Sequence, residues 1–151
     1  MKLLYLNKNK PCVGCRLCEL ACSFFHDNIF NPENSRVVVI KEESKGKDDP
    51  QICYHCKNHP CTEVCPVDAF EMKITNGEEY YVINNKKCIG CGLCIKACPF
   101  DAIHFSLDKK ILKCDLCGGI PECVKHCPTG IICFGDLSKT ISIKEKSSNN
   151  Q

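Results

Sequence analysis

Short stretches of alternating apolar and polar residues recur along this chain, and they predict several short strands. The clearest pair is Phe70–Ile74 and Tyr80–Ile83, which flank an Asn76-Gly77 turn signal and therefore predict a β-hairpin. The same alternation predicts a second hairpin around Asp108-Lys109. The strands of this second hairpin and the remaining predicted strands are Ile103–Leu107, Lys110–Leu112, Leu3–Leu6 and Arg36–Ile40.

Helical signals are brief, and each lies beside a cysteine. They predict short helices at Leu17–Cys22, Leu93–Cys98 and Glu122–Cys127. The charged and turn-rich segment Glu42–Pro50 is expected to be a surface loop, and residues 144–151 are expected to be a disordered tail. Short helices mixed with β-hairpins indicate an α+β fold.

The cysteines give this pattern its chemistry, because sixteen of the seventeen fall into four groups of four. The first and third groups have the spacing C-x2-C-x2-C-x3-C, the second and fourth lengthen only the middle spacing, and proline follows the last cysteine of groups two to four. Such spacing lets one loop wrap around three corners of a cube-shaped cluster. In chain order the groups are Cys12, Cys15, Cys18 and Cys22; Cys53, Cys56, Cys61 and Cys65; Cys88, Cys91, Cys94 and Cys98; and Cys114, Cys117, Cys123 and Cys127.

Two other uses of cysteine fit this chain less well. Disulfides are disfavoured by the odd cysteine count and by the lack of a signal-peptide pattern, which together indicate a reducing cytoplasm. Zinc sites usually join two separated C-x2-C pairs, whereas groups one and three place three thiolates at three-residue spacing. The pattern therefore favours iron–sulfur clusters, four of the 4Fe–4S type.

The C-x2-C-x2-C-x3-C-P run resembles that of bacterial two-cluster ferredoxins, in which the fourth cysteine of one run binds the cluster of the other. The segment from Cys65 through the predicted hairpin to Cys88 resembles the middle of such a ferredoxin, so groups two and three pair and groups one and four are left to pair across the chain. A sequential order, in which group one pairs with two and three with four, stays open. The nested order implies these ligand sets: Cys12, Cys15, Cys18 and Cys127; Cys22, Cys114, Cys117 and Cys123; Cys53, Cys56, Cys61 and Cys98; and Cys65, Cys88, Cys91 and Cys94.

The whole pattern is similar to four-cluster electron-transfer subunits of multi-subunit oxidoreductases. These serve formate dehydrogenases and relatives of DMSO reductase, tungsten aldehyde oxidoreductases and CO dehydrogenases. Residues Cys12–Phe24 and Phe30–Pro32 are most similar to the subunits of the last two classes. The resemblance implies tandem, nested ferredoxin-like folds in a single domain. We expect this domain to cover residues 1–143, with one lobe at 53–98, a second at 1–30 plus 110–137, and an insertion at 31–52.

The same resemblance implies electron transfer in the cytoplasm without a catalytic site in this chain. Its partner is then a tungsten, molybdenum or nickel enzyme, with a ferredoxin or a flavin or NAD subunit as a further partner. A freely diffusing polyferredoxin is the alternative. The formal charge of +2 falls to about −6 once four oxidised clusters add about −8, so no nucleic-acid partner is expected. No apolar run is long enough to span a membrane.

Several residues beside the cysteine groups receive modest roles. Cys133 is left over, and strand alternation predicts that its thiol faces outward and binds no cluster. Histidines near the cysteines, which are His55, His59 and His126, are expected to be supporting or surface residues. Lysines, among them Lys87 and Lys113, are expected on the surface, where they solubilise the chain or steer an acidic partner.

Removal of iron is expected to unfold the chain, because it has no tryptophan and few aromatic residues with which to build a core without the clusters. Hydrogen exchange of the chelated protein measures this. We expect amide protection to be lost throughout, and native-like protection after iron removal would contradict the prediction.

Overall fold

The computed structural model describes residues 2–136 of the 151-residue chain. The predicted tail at 144–151 and the end of the predicted domain lie outside these residues. The described part contains short helices, short strands and three 3₁₀ turns. In chain order the strands and α-helices are β1 (Lys2–Leu6), α1 (Leu17–Asp27), β2 (Val38–Glu42), β3 (Lys47–Gln51), α2 (Pro60–Glu63), β4 (Phe70–Thr75), β5 (Glu78–Ile83), α3 (Leu93–Ala97), β6 (Ile103–Phe105), β7 (Ile111–Lys113), α4 (Glu122–Lys125) and β8 (Ile132–Asp136).

The strands within residues 2–136 form four separate antiparallel pairs: β1 with β8, β2 with β3, β4 with β5, and β6 with β7. The β4–β5 hairpin turns at Asn76 and Gly77, both of which have positive φ values, 54° and 81°. Two such residues in succession match the twist of a tight hairpin, which confirms this prediction. Together with the short helices, these hairpins confirm the α+β fold class.

The pairing of β1 with β8 joins the two ends of the described chain. Leu4 lies opposite Phe134, and Leu6 lies opposite Ile132. The side chains of Leu4 and Ile132 are each 2% exposed and lie in one hydrophobic cluster. This long-range pairing carries the fourth cysteine group back to the first, because β8 begins five residues after Cys127 and β1 ends six residues before Cys12.

The predicted surface loop at Glu42–Pro50 was wrong, because most of that segment forms the β2–β3 hairpin. Its charges pair across the strands, where Lys41 lies opposite Asp48 and approaches its carboxylate to 3.9 Å. Opposite charges facing each other stabilise a two-stranded sheet even when its residues are polar. The strand predicted at Arg36–Ile40 begins two residues later, because the Val37 amide bonds to Ser35 Oγ at 3.1 Å instead of a neighbouring strand.

Proline decides where the helices beside the cysteines end. Helix α3 ends at Ala97, one residue before Cys98, and α4 ends at Lys125, two residues before Cys127; each cysteine is followed by a proline, which lacks the amide that a continuing helix needs. No proline follows Cys22, so α1 continues to Asp27, five residues beyond the predicted end. The buried Glu19 ties α1 to β2 by accepting the Val39 amide at 2.6 Å.

The core consists of two clusters of buried residues, and both contain cysteines. The larger cluster surrounds the β1–β8 pair and includes Cys18, Cys22 and Cys123. The smaller one lies between β4 and β6 and includes Cys61 and Cys94. Thiols thus occupy the positions where larger domains place aliphatic side chains. The bounds of the predicted lobes stay a prediction.

Candidate metal centres

Four cavities lie within the described chain, and each is lined by at least four cysteines; they are named A, B, C and D here. Cavity A is lined by Cys12, Cys15, Cys18 and Cys127; cavity B by Cys22, Cys53, Cys114, Cys117 and Cys123; cavity C by Cys53, Cys56, Cys61 and Cys98; and cavity D by Cys65, Cys88, Cys91 and Cys94. Apart from Cys53, which lines both B and C, this is the grouping that the nested order expects. The role of each cysteine as a ligand stays a prediction.

All four cysteine loops turn in the same way before their second cysteine. The residue at that position has a left-handed backbone in every loop, with φ between 48° and 70°. These residues are Gly14, His55, Gly90 and Leu116. In groups one and three a second left-handed residue, Arg16 or Gly92, follows the second cysteine, whereas in group four residues 116–119 are left-handed in succession. Alternating handedness points successive amides toward the inside of a loop, which creates a concave site for an anionic group in groups one and three.

A second shared turn follows the last cysteine of groups two to four. The residue three positions after the cysteine again has a left-handed backbone, with φ values of 48° for Asp68, 50° for Asp101 and 68° for Gly130. This turn aims the next amide back at the sulfur. The Ala69 amide donates to Cys65 Sγ at 3.3 Å, and the Ala102 amide donates to Cys98 Sγ at 3.4 Å.

Cys127 has the same environment in a third version. Although burial raises the pKa of its thiol, the amides of Ile132, Ile131 and Gly130 and the Thr129 hydroxyl together hold that pKa below its usual value. Amides that favour the charged sulfur also favour a metal-bound thiolate.

The pKa of the Cys22 thiol is also lowered, but by different contacts, because no proline turn follows Cys22. The Arg36 amide, fourteen residues later in the chain, donates to Cys22 Sγ at 3.3 Å. His26 lies one helical turn after Cys22, and its Nδ1 is 2.8 Å from the Cys22 carbonyl oxygen. Burial raises the pKa of the Cys22 thiol, but the His26 and Arg36 contacts outweigh it and lower that pKa.

The His26 imidazole also joins the two halves of cavity B. Its Nε2 lies 2.9 Å from Asp115 Oδ1, and the same carboxylate oxygen accepts the Cys117 amide at 3.0 Å. Burial would lower the pKa of His26, but the bonds to Asp115 and Cys22 raise it to about 10. Sequence reasoning missed this pair, because its members are 89 residues apart and α1 was expected to end before His26.

Several buried thiols cannot ionise easily on their own. Burial raises the pKa of Cys18 and of Cys117 to about 12 and that of Cys94 to about 11, with neighbouring acidic groups and thiols adding to the shift. A metal cation that replaces the proton removes this cost, because it supplies the missing positive charge. Four thiols around each cavity, amides aimed at sulfur and buried thiols that need a cation together fit an iron–sulfur cluster in each cavity.

The cavities follow one another in the order A, B, C, D. Cys18 of cavity A and Cys123 of cavity B lie in the same cluster of buried residues. Cys53 lines both cavity B and cavity C. Cys61 of cavity C and Cys94 of cavity D lie together in the second cluster. Each cavity thus shares a buried cluster or a lining cysteine with the next.

The two outer cavities reach the surface through equivalent loops. Cys15 of cavity A and Cys91 of cavity D are exposed, whereas the other fifteen cysteines are at least partly buried. An exposed apolar residue lies two positions before each of them, Val13 at 57% and Ile89 at 64% exposure. Apolar side chains beside an accessible metal site are typical of a surface that docks onto another protein.

Lys113 is buried, contrary to the surface position expected of the lysines. It ends strand β7 and is 8% exposed. Its Nζ donates to the Tyr81 carbonyl at 2.7 Å and to the Cys114 carbonyl at 3.1 Å, and its side chain lines cavity C. The sequence offers no warning, since Lys87 also immediately precedes a cysteine group and is exposed.

The three histidines named from the sequence have different environments. His55 is buried beside cavity C, where burial and then the Lys113 charge lower its pKa to about 3. His59 packs on the Tyr81 ring at a centroid distance of 4.4 Å, and the exposed His126 bonds to the Glu122 carbonyl. Each cavity already has at least four thiols, so none of these histidines is needed as a replacement ligand.

All seventeen cysteines lie in the described residues, and all are free thiols. Within residues 2–136, no helix is both long and apolar enough to cross a membrane.

Comparison with known proteins gives the family. Two models described as a 4Fe-4S dicluster domain match the chain, one over residues 44–137 and the other over residues 11–69. A polyferredoxin-like subunit of an aliphatic sulfonate oxidoreductase from Pyrococcus furiosus is 42% identical over 117 residues, which is 77% of this chain and 66% of that protein. An uncharacterized ferredoxin from Methanocaldococcus jannaschii is 37% identical over 97% of this chain and 80% of that protein.

Among solved structures, a chain of the active-site complex BamBC of benzoyl coenzyme A reductase, in complex with benzoyl-CoA, is similar to this chain. The alignment covers 99% of this chain and 90% of that one, with 28% identity and a TM-score of 0.51. The likeness therefore extends over nearly the whole chain.

Replacing Cys133 with serine is expected to leave the iron content unchanged. The Cys133 thiol lines none of the four cavities and donates instead to the Gly130 carbonyl at 3.2 Å, a bond that a serine hydroxyl can keep. Iron analysis of the purified variant measures this, with Cys123→Ser as the matched control that should lose iron. Loss of one cluster from Cys133→Ser would contradict the prediction.

Proposed function

This chain belongs to the 4Fe–4S dicluster family, and we propose that its four cavities form one electron path between a catalytic subunit and an electron carrier. Two dicluster domains provide for four 4Fe–4S clusters, and one relative is a polyferredoxin-like subunit of an oxidoreductase. The observation that carries the proposal is that each of the cavities A, B, C and D shares a buried cluster or a lining cysteine with the next.

We assign the cysteines that line each cavity as the ligands of one cluster. The assignment is supported by four thiols per cavity, by the shared left-handed turns and by the amides that donate to sulfur. It is the nested order, in which cavities C and D form one ferredoxin-like unit inside the other. The β1–β8 pairing supports it further, because it brings the first and fourth cysteine groups together.

Exchange with partners is proposed at the two outer clusters. Electrons tunnel efficiently only over short distances, and Cys15 and Cys91 are the exposed thiols of the four quartets. A chain with a docking face at each end acts as a fixed connection, whereas a diffusing carrier needs only one accessible cluster. Because each cavity already offers four thiols, the chain has no open iron for substrate, and we assign catalysis to the partner.

For the catalytic partner we propose a tungsten aldehyde oxidoreductase or a CO dehydrogenase, on the similarity of the Cys12–Phe24 segment noted above. The relatives widen the range of substrates, since one serves an aliphatic sulfonate oxidoreductase and one belongs to a benzoyl coenzyme A reductase complex. The free thiols point to a reducing compartment, so we place the exchange in the cytoplasm.

A double substitution tests the nested ligand sets. If Cys15 and Cys127 bind the same cluster, Cys15→Ala combined with Cys127→Ala should abolish one cluster, as either single change does. Iron analysis and spin integration of the reduced protein by EPR count the clusters. The matched control is Cys15→Ala with Cys65→Ala, which should abolish two. Loss of two clusters in the first pair and one in the second would establish the sequential order instead.

An anaerobic pull-down of the tagged chain from its own cells tests the subunit role. We expect a stoichiometric oxidoreductase to co-purify, with tungsten or nickel detected by elemental analysis, because both outer clusters have apolar surroundings suited to docking. The same pull-down with Val13→Asp and Ile89→Asp together is the control, and it should lose the partner while keeping iron. A wild-type chain that purifies alone with all its iron would favour the free polyferredoxin.

A further inference from the structure

Lys113 presents an unusual buried charge at the junction of the two inner cavities. Its ammonium bonds only to the backbone carbonyls of Tyr81 and Cys114 among the contacts of the described residues, and it forms no ion pair with any of their carboxylates. Tyr81 belongs to the β4–β5 hairpin between groups two and three, whereas Cys114 opens group four. One nitrogen thus connects both halves of the nested fold.

Burying an ammonium with carbonyl partners alone is costly, because two dipoles do not replace the hydration of a full charge. A native fold tolerates such a group when an anion nearby compensates it. Lys113 shares the lining of cavity C with Cys53, Cys56, Cys61 and Cys98. It also borders an open polar pocket lined by Asp27, Asp108 and Asp115, but it forms an ion pair with none of these described carboxylates. A net negative group in cavity C would compensate the buried charge.

The position of Lys113 distinguishes the two inner cavities. Lys113 belongs to the lining of cavity C and not to that of cavity B, which it approaches only through the Cys114 carbonyl that its Nζ contacts. Its charge is therefore expected to act mainly on cavity C.

We propose that the Lys113 ammonium is the fixed counter-charge that raises the reduction potential of the 4Fe–4S cluster in cavity C. The proposal rests on the ligand set proposed above for that cavity. One electron enters the cluster and no proton is taken up, so its net charge with four thiolates changes from about −2 to about −3. A nearby positive charge stabilises the more negative state and thereby favours reduction.

Lys87 provides a matched comparison within the same chain. It immediately precedes Cys88 as Lys113 precedes Cys114, so the two lysines have equivalent positions beside a first cysteine. Its side chain is 55% exposed and lies 3.7 Å from the Glu71 carboxylate. Water and this carboxylate screen its charge, so Lys87 should have little influence on the cluster in cavity D.

The test is an anaerobic redox titration of the purified four-cluster protein, followed by EPR. Lys113→Met and Lys113→Gln remove the charge, Lys113→Arg keeps it, and Lys87→Met is the control. The signal of the cavity C cluster is identified as the one that Cys56→Ala abolishes. At the wild-type midpoint of that cluster, the neutral variants should lower the ratio of reduced to oxidised form about tenfold, or about 59 mV for a one-electron couple. Lys113→Arg and Lys87→Met should change it less than twofold.

The other possible outcomes of this titration either overturn or support the role proposed for Lys113. An unchanged ratio in neutral variants that keep four clusters, an equal drop in Lys113→Arg, or a shift confined to the cluster of cavity B would overturn the proposal. If the neutral variants lose the cavity C cluster while Lys113→Arg keeps all four, the charge is required to hold it, which supports the proposal. Loss in all three variants would assign Lys113 to packing alone. The proposed ligand sets are judged separately, by the Cys15 and Cys127 pair.

Discussion

The structure depends on the convergence of four thiolates on each of four cavities inside a very small protein. Thiolates are poorly stable away from water, and burial, with neighbouring acidic groups and thiols, raises the pKa of Cys18 and Cys117 far above the physiological range. Iron bound at the proposed ligands would supply the positive charge that makes their ionised form stable in the interior. The clusters and their cysteines would then take the place of an aliphatic core, which fits the thiols in both hydrophobic clusters. We therefore expect folding and metal binding to be one process in this chain.

Cysteine groups two to four share a proline and a left-handed turn after the last cysteine, whereas group one lacks the proline. This difference changes how α1 ends and which distant residues it contacts. Proline after Cys98 and Cys127 stops the helix and starts the turn that aims an amide at sulfur. Group one lacks this proline, so α1 runs on to Asp27 and brings His26 to Asp115 on the far side of cavity B. The missing turn is replaced by a long-range contact, since Cys22 accepts its amide from Arg36. The absence of one proline is thus accompanied by contacts of α1 with two distant segments, at Arg36 and at Asp115.

The features that depend on neighbouring residues in the sequence were predicted correctly. Cysteine spacing, the Asn76-Gly77 turn and the apolar alternation gave the fold class, the four groups and the β4–β5 hairpin. Sequence reasoning failed where partners distant in the chain decide. The charges of 42–50 suggested a loop, but Lys41 and Asp48 pair across a hairpin. Lys87 and Lys113 have equivalent sequence positions, and only the fold determines which of them is buried.

The inner and outer cavities face different electrostatic problems, and the structure treats them differently. Cavities A and D each have an exposed cysteine, so water can reorganise around any electron that arrives there. Cavities B and C contain only buried or partly buried cysteines, and there the protein itself must compensate the added charge. A basic side chain accompanies each of these inner quartets, His26 beside Cys22 and Lys113 in the lining of cavity C. If the proposed path is correct, such fixed charges would bring the potentials of its inner clusters closer to those of its solvated ends.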